Sequence, residues 1–146
     1  SDTPDKAIES NLTWEEPKNW REYRGSAMRE ASYKVPHSQG EGDLTIVKLF
    51  GDGGGVEANV NRWLKQINLN NMSASDIASL GTDASGLLGE YKVYKLINDK
   101  DPSRAFLCAI MPIGKETLFV KMDISKAGLG QVEEEFNKFC SSIDIK

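Results

Sequence analysis

Apolar and polar residues along this chain alternate with two different periods, and the switches between them outline its elements. Behind Met28, apolar Ala31, Tyr33 and Val35 alternate with polar neighbours, which predicts a half-buried strand over 28–35. The stretch from Pro36 to Asp43 holds a His, a Ser, a Gln and two glycines and reads as a hairpin loop. A second strand, rich in β-branched residues, is predicted from Asp43 to Phe50. The period then changes. Val56, Val60, Trp63, Leu64 and Ile67 form a stripe at helical spacing, and Asn68 with Asn70 and Asn71 ends it. Residues 73–80 fit one short helical turn capped by Ser73. Gly81 to Gly86 reads as loop.

Three further strands are predicted. Leu87 to Ile97 carries Tyr91, Val93, Tyr94, Leu96 and Ile97. Arg104 to Ile113 contains the unbroken run 105–111, which suits a central strand covered on both faces. Glu116 to Ile124 alternates Leu118, Val120, Met122 and Ile124. Gly128 and Gly130 read as breakers before a last helix from about Gln131 to Ser142, with Val132, Phe136, Phe139 and Cys140 on its stripe. The order is β-β-α-β-β-β-α. Strands in consecutive runs imply an antiparallel sheet in an α+β domain. The expected core includes Val60, Leu64, Leu107, Ile110, Val120, Phe136 and Phe139.

Residues 1–13 are polar until Leu12 and read as a flexible tail, leaving 14–146 as a single domain. Ser1 opens the chain, so the expectation is a protein matured from a longer precursor. The polar lead-in suits a tether behind a removed export signal and equally suits a simple boundary. From Trp14 to Trp20 the chain is irregular, because Pro17 opposes regular pairing. Trp14, Trp20 and Tyr23 either close the end of the sheet or present an aromatic surface.

At 146 residues the chain can bury a full core without staples. Its net charge of −4 argues against nucleic acid, whose binding rests on basic patches. No apolar run approaches the roughly 18 residues that span a bilayer. Cys108 and Cys140 read as buried thiols, with a disulfide open only if strand and helix touch. Two cysteines and one loop histidine, His37, make no tetrahedral zinc site. The acidic residues fall at Glu15-Glu16, Glu133 to Glu135, and Asp99 with Asp101, each a solvated face. Asp99 and Asp101 lack the twelve-residue ligand pattern of a calcium loop. No base stands ready for a Ser or Cys nucleophile. Neither a metal nor a cofactor is expected.

The segment that invites chemistry is Phe50-Gly51-Asp52-Gly53-Gly54-Gly55, followed at once by the first helix. Glycines before a helix can turn backbone N–H groups toward an anion. The spacing fits neither a P-loop nor a dinucleotide fingerprint, and Asp52 would repel a phosphate. A sharp strand-to-helix turn is the favoured reading of Gly53, Gly54 and Gly55. Asn59, Asn61 and Arg62 lie beside it. They form either a recognition patch or a set of side chains bonding loop carbonyls. Trp63 belongs to the apolar stripe and is expected in the core.

The Trp-containing lead-in, first hairpin, helix after strand two, three-strand meander and C-terminal helix resemble the fold shared by PsbP, an extrinsic photosystem II subunit, and Mog1, a partner of the GTPase Ran. That resemblance covers about Trp14 to the end. It implies an α/β/α sandwich around a central antiparallel sheet, and it implies an accessory role docking to a partner protein. The glycine turn followed by Ala58-Asn59-Val60-Asn61-Arg62-Trp63, with Met28-Arg29-Glu30-Ala31-Ser32-Tyr33 before it, also resembles uncharacterised bacterial proteins of lipoprotein type. This second resemblance implies export and a lipid anchor in a segment not present here. It brings no activity and no catalytic residue. The reading is therefore a non-enzymatic extracytoplasmic binding module. The alternatives are a small-ligand or anion-binding protein, or a small hydrolase, using Gly53 to Arg62.

Overall fold

A computed structural model describes residues 11–146. Its frame is one antiparallel sheet of seven strands: β2 (Arg21–Glu22), β3 (Arg29–His37), β4 (Gly40–Phe50), β5 (Thr82–Gly86), β6 (Gly89–Ile97), β7 (Ala105–Ile113) and β8 (Glu116–Ile124). The spatial order is β2-β3-β4-β8-β7-β6-β5. Three helices flank it among the described residues: α1 (Val56–Gln66), α2 (Ala74–Leu80) and α3 (Lys126–Ser141). Two short strands, β1 (Leu12–Thr13) and β9 (Asp144–Ile145), pair with each other apart from the sheet. The architecture is the α+β sandwich with a central antiparallel sheet that the sequence predicts.

Alternation within the strands divides the core between two faces. Ala31, Tyr33, Val35, Leu44, Ile46, Leu107, Val120 and Met122 point toward α3, where Leu129, Val132, Phe136 and Phe139 meet them. Tyr94, Leu96, Phe106, Cys108, Ile110 and Phe119 point the other way, toward Val60, Trp63, Leu64 and Ile67 of α1 and Ile77 of α2. The apolar run of β7 is explained by this arrangement: residues 105–111 are buried on both sides. All seven residues of the expected core are buried, and so is Trp63.

The differences from the sequence reading have local causes. The first hairpin has no long loop. Pro36 and His37 extend β3 and pair with Glu41 and Gly40. Pro36 is tolerated because β2 reaches only Tyr33 and Lys34, so the missing N–H faces an unpaired edge. Residues 82–86, read as loop, form the edge strand β5 on β6. Helix α3 begins at Lys126, with Ser125 accepting the Gly128 N–H at 3.0 Å, so Gly128 and Gly130 lie inside the helix. A Cβ at Gly128 would stand 2.7 Å from the His37 ring and 2.8 Å from Ile124, so that glycine serves close packing. Met28 lies in the turn before β3 and is 69% exposed rather than core-facing.

Leu12 and Thr13, read as the end of a tail, pair with Ile145 and Asp144, and Leu12 is buried. The rest of the expected tail, residues 1–10, lies outside the described residues. The lead-in closes the sheet on the α3 side. Trp20 sits 4.9 Å from Phe139 and 5.7 Å from Tyr33 between ring centroids, and its indole donates to Glu135 Oε1 at 2.7 Å. Trp14 donates to the Tyr33 hydroxyl, which donates in turn to Glu16 Oε1. Burial pushes the Tyr33 phenol well above its ordinary value, which keeps it a donor. Tyr23 stands on the opposite side of the sheet and donates to Asp43 Oδ1 at 2.7 Å.

Candidate functional site

The glycine turn joins β4 to α1 at one end of the sandwich. Gly51, Gly53, Gly54 and Gly55 all have positive φ, between 63° and 98°. Gly53 is fixed twice over. Besides its φ of 63°, a Cβ there would come 2.6 Å from the Phe119 ring. Thr117 Oγ1 donates to the Gly51 carbonyl at 2.7 Å, and the Gly51 N–H donates to the Lys115 carbonyl at 2.8 Å. These bonds anchor the turn to the β7–β8 hairpin.

The turn does not open toward an anion. The Asp52 carboxylate accepts the Gly54 N–H at 3.0 Å, and Glu57 places a second carboxylate in the first turn of α1. Two acidic groups therefore already complement the helix dipole.

The two asparagines after the turn bond loop backbone. Asn59 is buried, and its amide donates to the Gly53 carbonyl at 3.1 Å and the Gly55 carbonyl at 2.7 Å. Its Oδ1 accepts from Arg62 at 2.8 Å. Asn61 bonds Met72 twice, donating to its carbonyl at 3.1 Å and accepting its N–H at 2.8 Å. That pair ties α1 to the segment before α2. Arg62 is exposed and lies over the Trp63 ring at 5.7 Å. The structure thus brings Gly53, Gly55, Asn59 and Arg62 into one bonded chain and sends Asn61 to a different loop.

Cys108 and Cys140 are free and buried, Cys108 on β7 facing α1 and Cys140 on α3 facing the sheet. Burial pushes the Cys108 thiol up to about 12, with Lys121 opposing, and pushes Cys140 up as well. Neither has the character of a nucleophile. No grouping of three or more metal-ligating side chains occurs among the described residues. A cleft of about 490 Å³ lies beside the start of α1, lined by Val56, Tyr91, Lys92, Ile110 and Pro112. A wider cleft between the lead-in and α3 carries Glu15, Glu16, Glu134 and Glu135.

The sequence reading also missed where the exposed large apolar residues gather. Among the described residues these are Phe50 at 80% exposure, Met28 at 69%, Leu87 at 66%, Ile145 and Val56. Met28 precedes β3, Phe50 ends β4, Val56 opens α1, and Leu87 turns β5 into β6. Antiparallel pairing puts these points at the same end of the sheet. Ile145 joins them, because Leu87 N–H donates to Ser141 at the end of α3 and Lys48 holds Asn11 beside β9. Composition alone cannot reveal this, since the five residues are scattered along the chain and only the topology collects them.

No protein-family model and no curated protein matches the chain. Solved structures do match it. It resembles the solution structure of cyanobacterial PsbP (CyanoP) from Synechocystis sp. PCC 6803 at TM-score 0.58 and 14% identity, covering 100% of this chain and 90% of that one. It also resembles LpqN, described as involved in cell envelope biogenesis of Mycobacterium tuberculosis, at TM-score 0.51 and 15% identity, covering 92% and 83%. A crystal structure from Bacteroides thetaiotaomicron matches at TM-score 0.53 and 11% identity, over 93% of this chain and 45% of that one. This chain spans less than half the length of that Bacteroides chain. At these identities the likeness is one of fold, and the fold is PsbP-like.

Proposed function

We propose that this chain is a non-enzymatic accessory module that docks to a partner protein outside the cytoplasm. The observation that carries the reading is the gathering of Phe50, Met28, Leu87, Val56 and Ile145 at one end, around the glycine turn. Clustered exposed apolar side chains on a soluble fold mark interaction surfaces. Gly53, Gly54 and Gly55 hold that end in shape, with Asn59 and Asn61 bracing it from below. Arg62 remains the one polar group of the sequence-read patch that is exposed enough to meet a partner. PsbP-like neighbours support an accessory role, and LpqN supports an envelope setting. No helix among the described residues is long and apolar enough to cross a membrane.

Affinity capture from membrane extracts tests the reading. The wild-type domain should retain a partner that a Phe50→Ser, Leu87→Ser double variant loses. A partner held equally by both would remove the apolar end from the proposal. Location is tested on the full reading frame, where an apolar segment ending in a cysteine would indicate a lipid anchor.

A small-ligand carrier is the second reading. The 490 Å³ cleft favours it, since it exceeds the roughly 300 Å³ of a small ligand site. Native mass spectrometry of purified protein distinguishes the two, because a carrier would retain a ligand through purification.

A further inference from the structure

The two edges of the seven-stranded sheet are not equally protected. At one edge β2 is two residues long, and both, Arg21 and Glu22, are charged and exposed. Short charged edges of this kind discourage another strand from adding. At the other edge β5 pairs with β6 in unbroken register from Thr82 to Gly86. It contains no bulge and no proline. Its single charged residue, Asp83, is paired with Lys92 of β6. Among the described residues β5 has no strand partner but β6. On alternate residues its N–H and C=O groups therefore point away from the sheet and stay unpaired.

A recess lies on each side of this edge, and Asp83, Ala84 and Ser85 line both. The first is the cleft of about 490 Å³. It opens on the α1 side, because Lys92 stands opposite Ile110, which belongs to the α1 core. Val56, Ile110 and Pro112 make it largely apolar. The second recess, of about 330 Å³, opens on the α3 side, where Tyr91, Val93 and Leu107 belong to the α3 core. Its wall is α3 itself, with Glu133, Asn137 and Ser141, and Lys95 pairs with Glu133 at 2.8 Å. One recess is apolar and the other has a polar wall. Successive side chains of a strand laid along β5 would enter first one and then the other.

We propose that β5 accepts an extended segment of a partner protein as an eighth strand, with apolar side chains on the α1 side alternating with small polar ones on the α3 side. This deepens the docking reading and rests on it. Val56 lines the α1-side recess and belongs to the apolar end, and exposed Leu87 stands at the tip of the accepting edge. A second copy of this chain does not match the recesses. If β5 paired antiparallel with itself, it would lay Asp83 and Ser85, which share the face of Lys92, over the apolar recess and leave it unfilled. A partner helix could fill that recess, but it would leave the edge N–H and C=O groups without partners.

The test combines amide hydrogen exchange with a chemical-shift titration of the whole chain, using three capped peptides at about millimolar concentration. The first alternates Ser and Leu. The second is the same peptide N-methylated throughout, which keeps the side chains and removes every backbone donor. The third has the same composition with its Leu residues gathered in the middle. The alternating peptide should slow exchange of alternate amides within 82–86 at least tenfold and should shift Val56, Lys92 and Ile110. The methylated peptide should give no protection and bind at least tenfold more weakly. Val56→Asp sits at the first position of α1, where a carboxylate suits the helix dipole, and should weaken binding at least fivefold with the spectrum still folded. Lys100→Gln, in the exposed β6–β7 turn, should change nothing. Equal binding of the methylated or the gathered-Leu peptide would overturn the proposal. So would shifts confined to the recess without exchange protection, the pattern of a small-ligand pocket. A dimer of the free chain that protects the same amides would put a second copy in the partner's place and would also overturn it. Failure here, while the Phe50, Leu87 double variant still loses its captured partner, would remove strand addition and leave docking at the apolar end standing.

Discussion

The face of the sheet under α3 and the face under α1 are built from the same strands, yet they are finished differently. On the α3 side a sixteen-residue helix and the lead-in cover the strands from β3 to β6, and Trp14, Trp20, Tyr33 and Phe139 seal the edge with tilted and edge-to-face ring contacts. On the α1 side an eleven-residue helix and a seven-residue helix cover β6 to β8, Leu49 of β4 packs at their margin, and no residue of β3 joins that core. Burial on the first face concerns stability. The second face divides its residues between packing and a polar surface that carries the Lys34–Asp43 and Arg104–Asp123 ion pairs. Strand alternation lets one sheet do both, because neighbouring residues serve opposite faces.

The largest effect should come from the sealed face. Phe136 is fully buried on the sheet-facing side of α3, and Phe136→Ala should cost about 3–5 kcal/mol in denaturant unfolding. A loss below about 1 kcal/mol would mean that α3 does not seal its face as described. Next is the turn that sets where α1 begins. Gly53→Ala adds both an unfavourable φ and a contact with Phe119, and should cost about 2–3 kcal/mol. Gly51→Ala, whose Cβ would meet nothing, should cost clearly less. Equal costs would show that the Phe119 contact is relieved without strain.

The cysteines probe both faces together. Cys108 is held neutral up to about 12, and Cys140 is shifted in the same direction. The unfolded chain loses these protons near the ordinary value of 9.0, so it binds fewer protons than the native state above that pH. Stability should therefore be intact below pH 9 and fall as pH rises toward about 12, by about 1.4 kcal/mol per thiol at pH 10. Denaturant midpoints at pH 7, 9 and 10 measure the slope, and Cys108→Ala should flatten it. An unchanged slope in that variant would show that the α1 face admits water to this thiol. The smallest effect belongs to the part of that face outside the α1 core, where half-buried Thr45→Ala should change stability by less than about 0.5 kcal/mol. A larger loss would show that the α1-side core extends onto β4.

Much of this division was legible in the sequence. The stripe Val56-Val60-Trp63-Leu64-Ile67 and the doubly buried run of β7 follow from periodicity, and the Ser73 cap follows from residue type, accepting the Asp76 N–H as expected. The edge strand β5 did not show. Thr82-Asp83-Ala84-Ser85-Gly86 has little strand propensity, and its pairing is imposed by β6. Gly128 looked like a breaker because its role is to let His37 approach, a contact that residue order cannot display. At the glycine turn, Asn59 and Arg62 were found, but not that Asn59 is consumed by Gly53 and Gly55. Lys121 gave one weak signal: it stands opposite the apolar alternation of β8, next to Phe119. Its aromatic surroundings come from residues 63 and 106 and exist only in three dimensions.

The pairing of β1 with β9 has a consequence for how the domain can be rewired. Leu12 lies opposite Ile145 in an antiparallel ladder, so the two ends of the fold stand about 5 Å apart. A few glycines from residue 146 to residue 11 could close the described fold into a ring, and the break could be moved to the Ser38–Gln39 turn at the cost of the Ser38–Gln131 bonds to α3. For the same reason the whole unit could be spliced into a surface loop of another protein with no spacer to bridge. A stretching force applied at both ends would first unzip this two-residue ladder, one rung at a time, before any load reached the seven-stranded sheet.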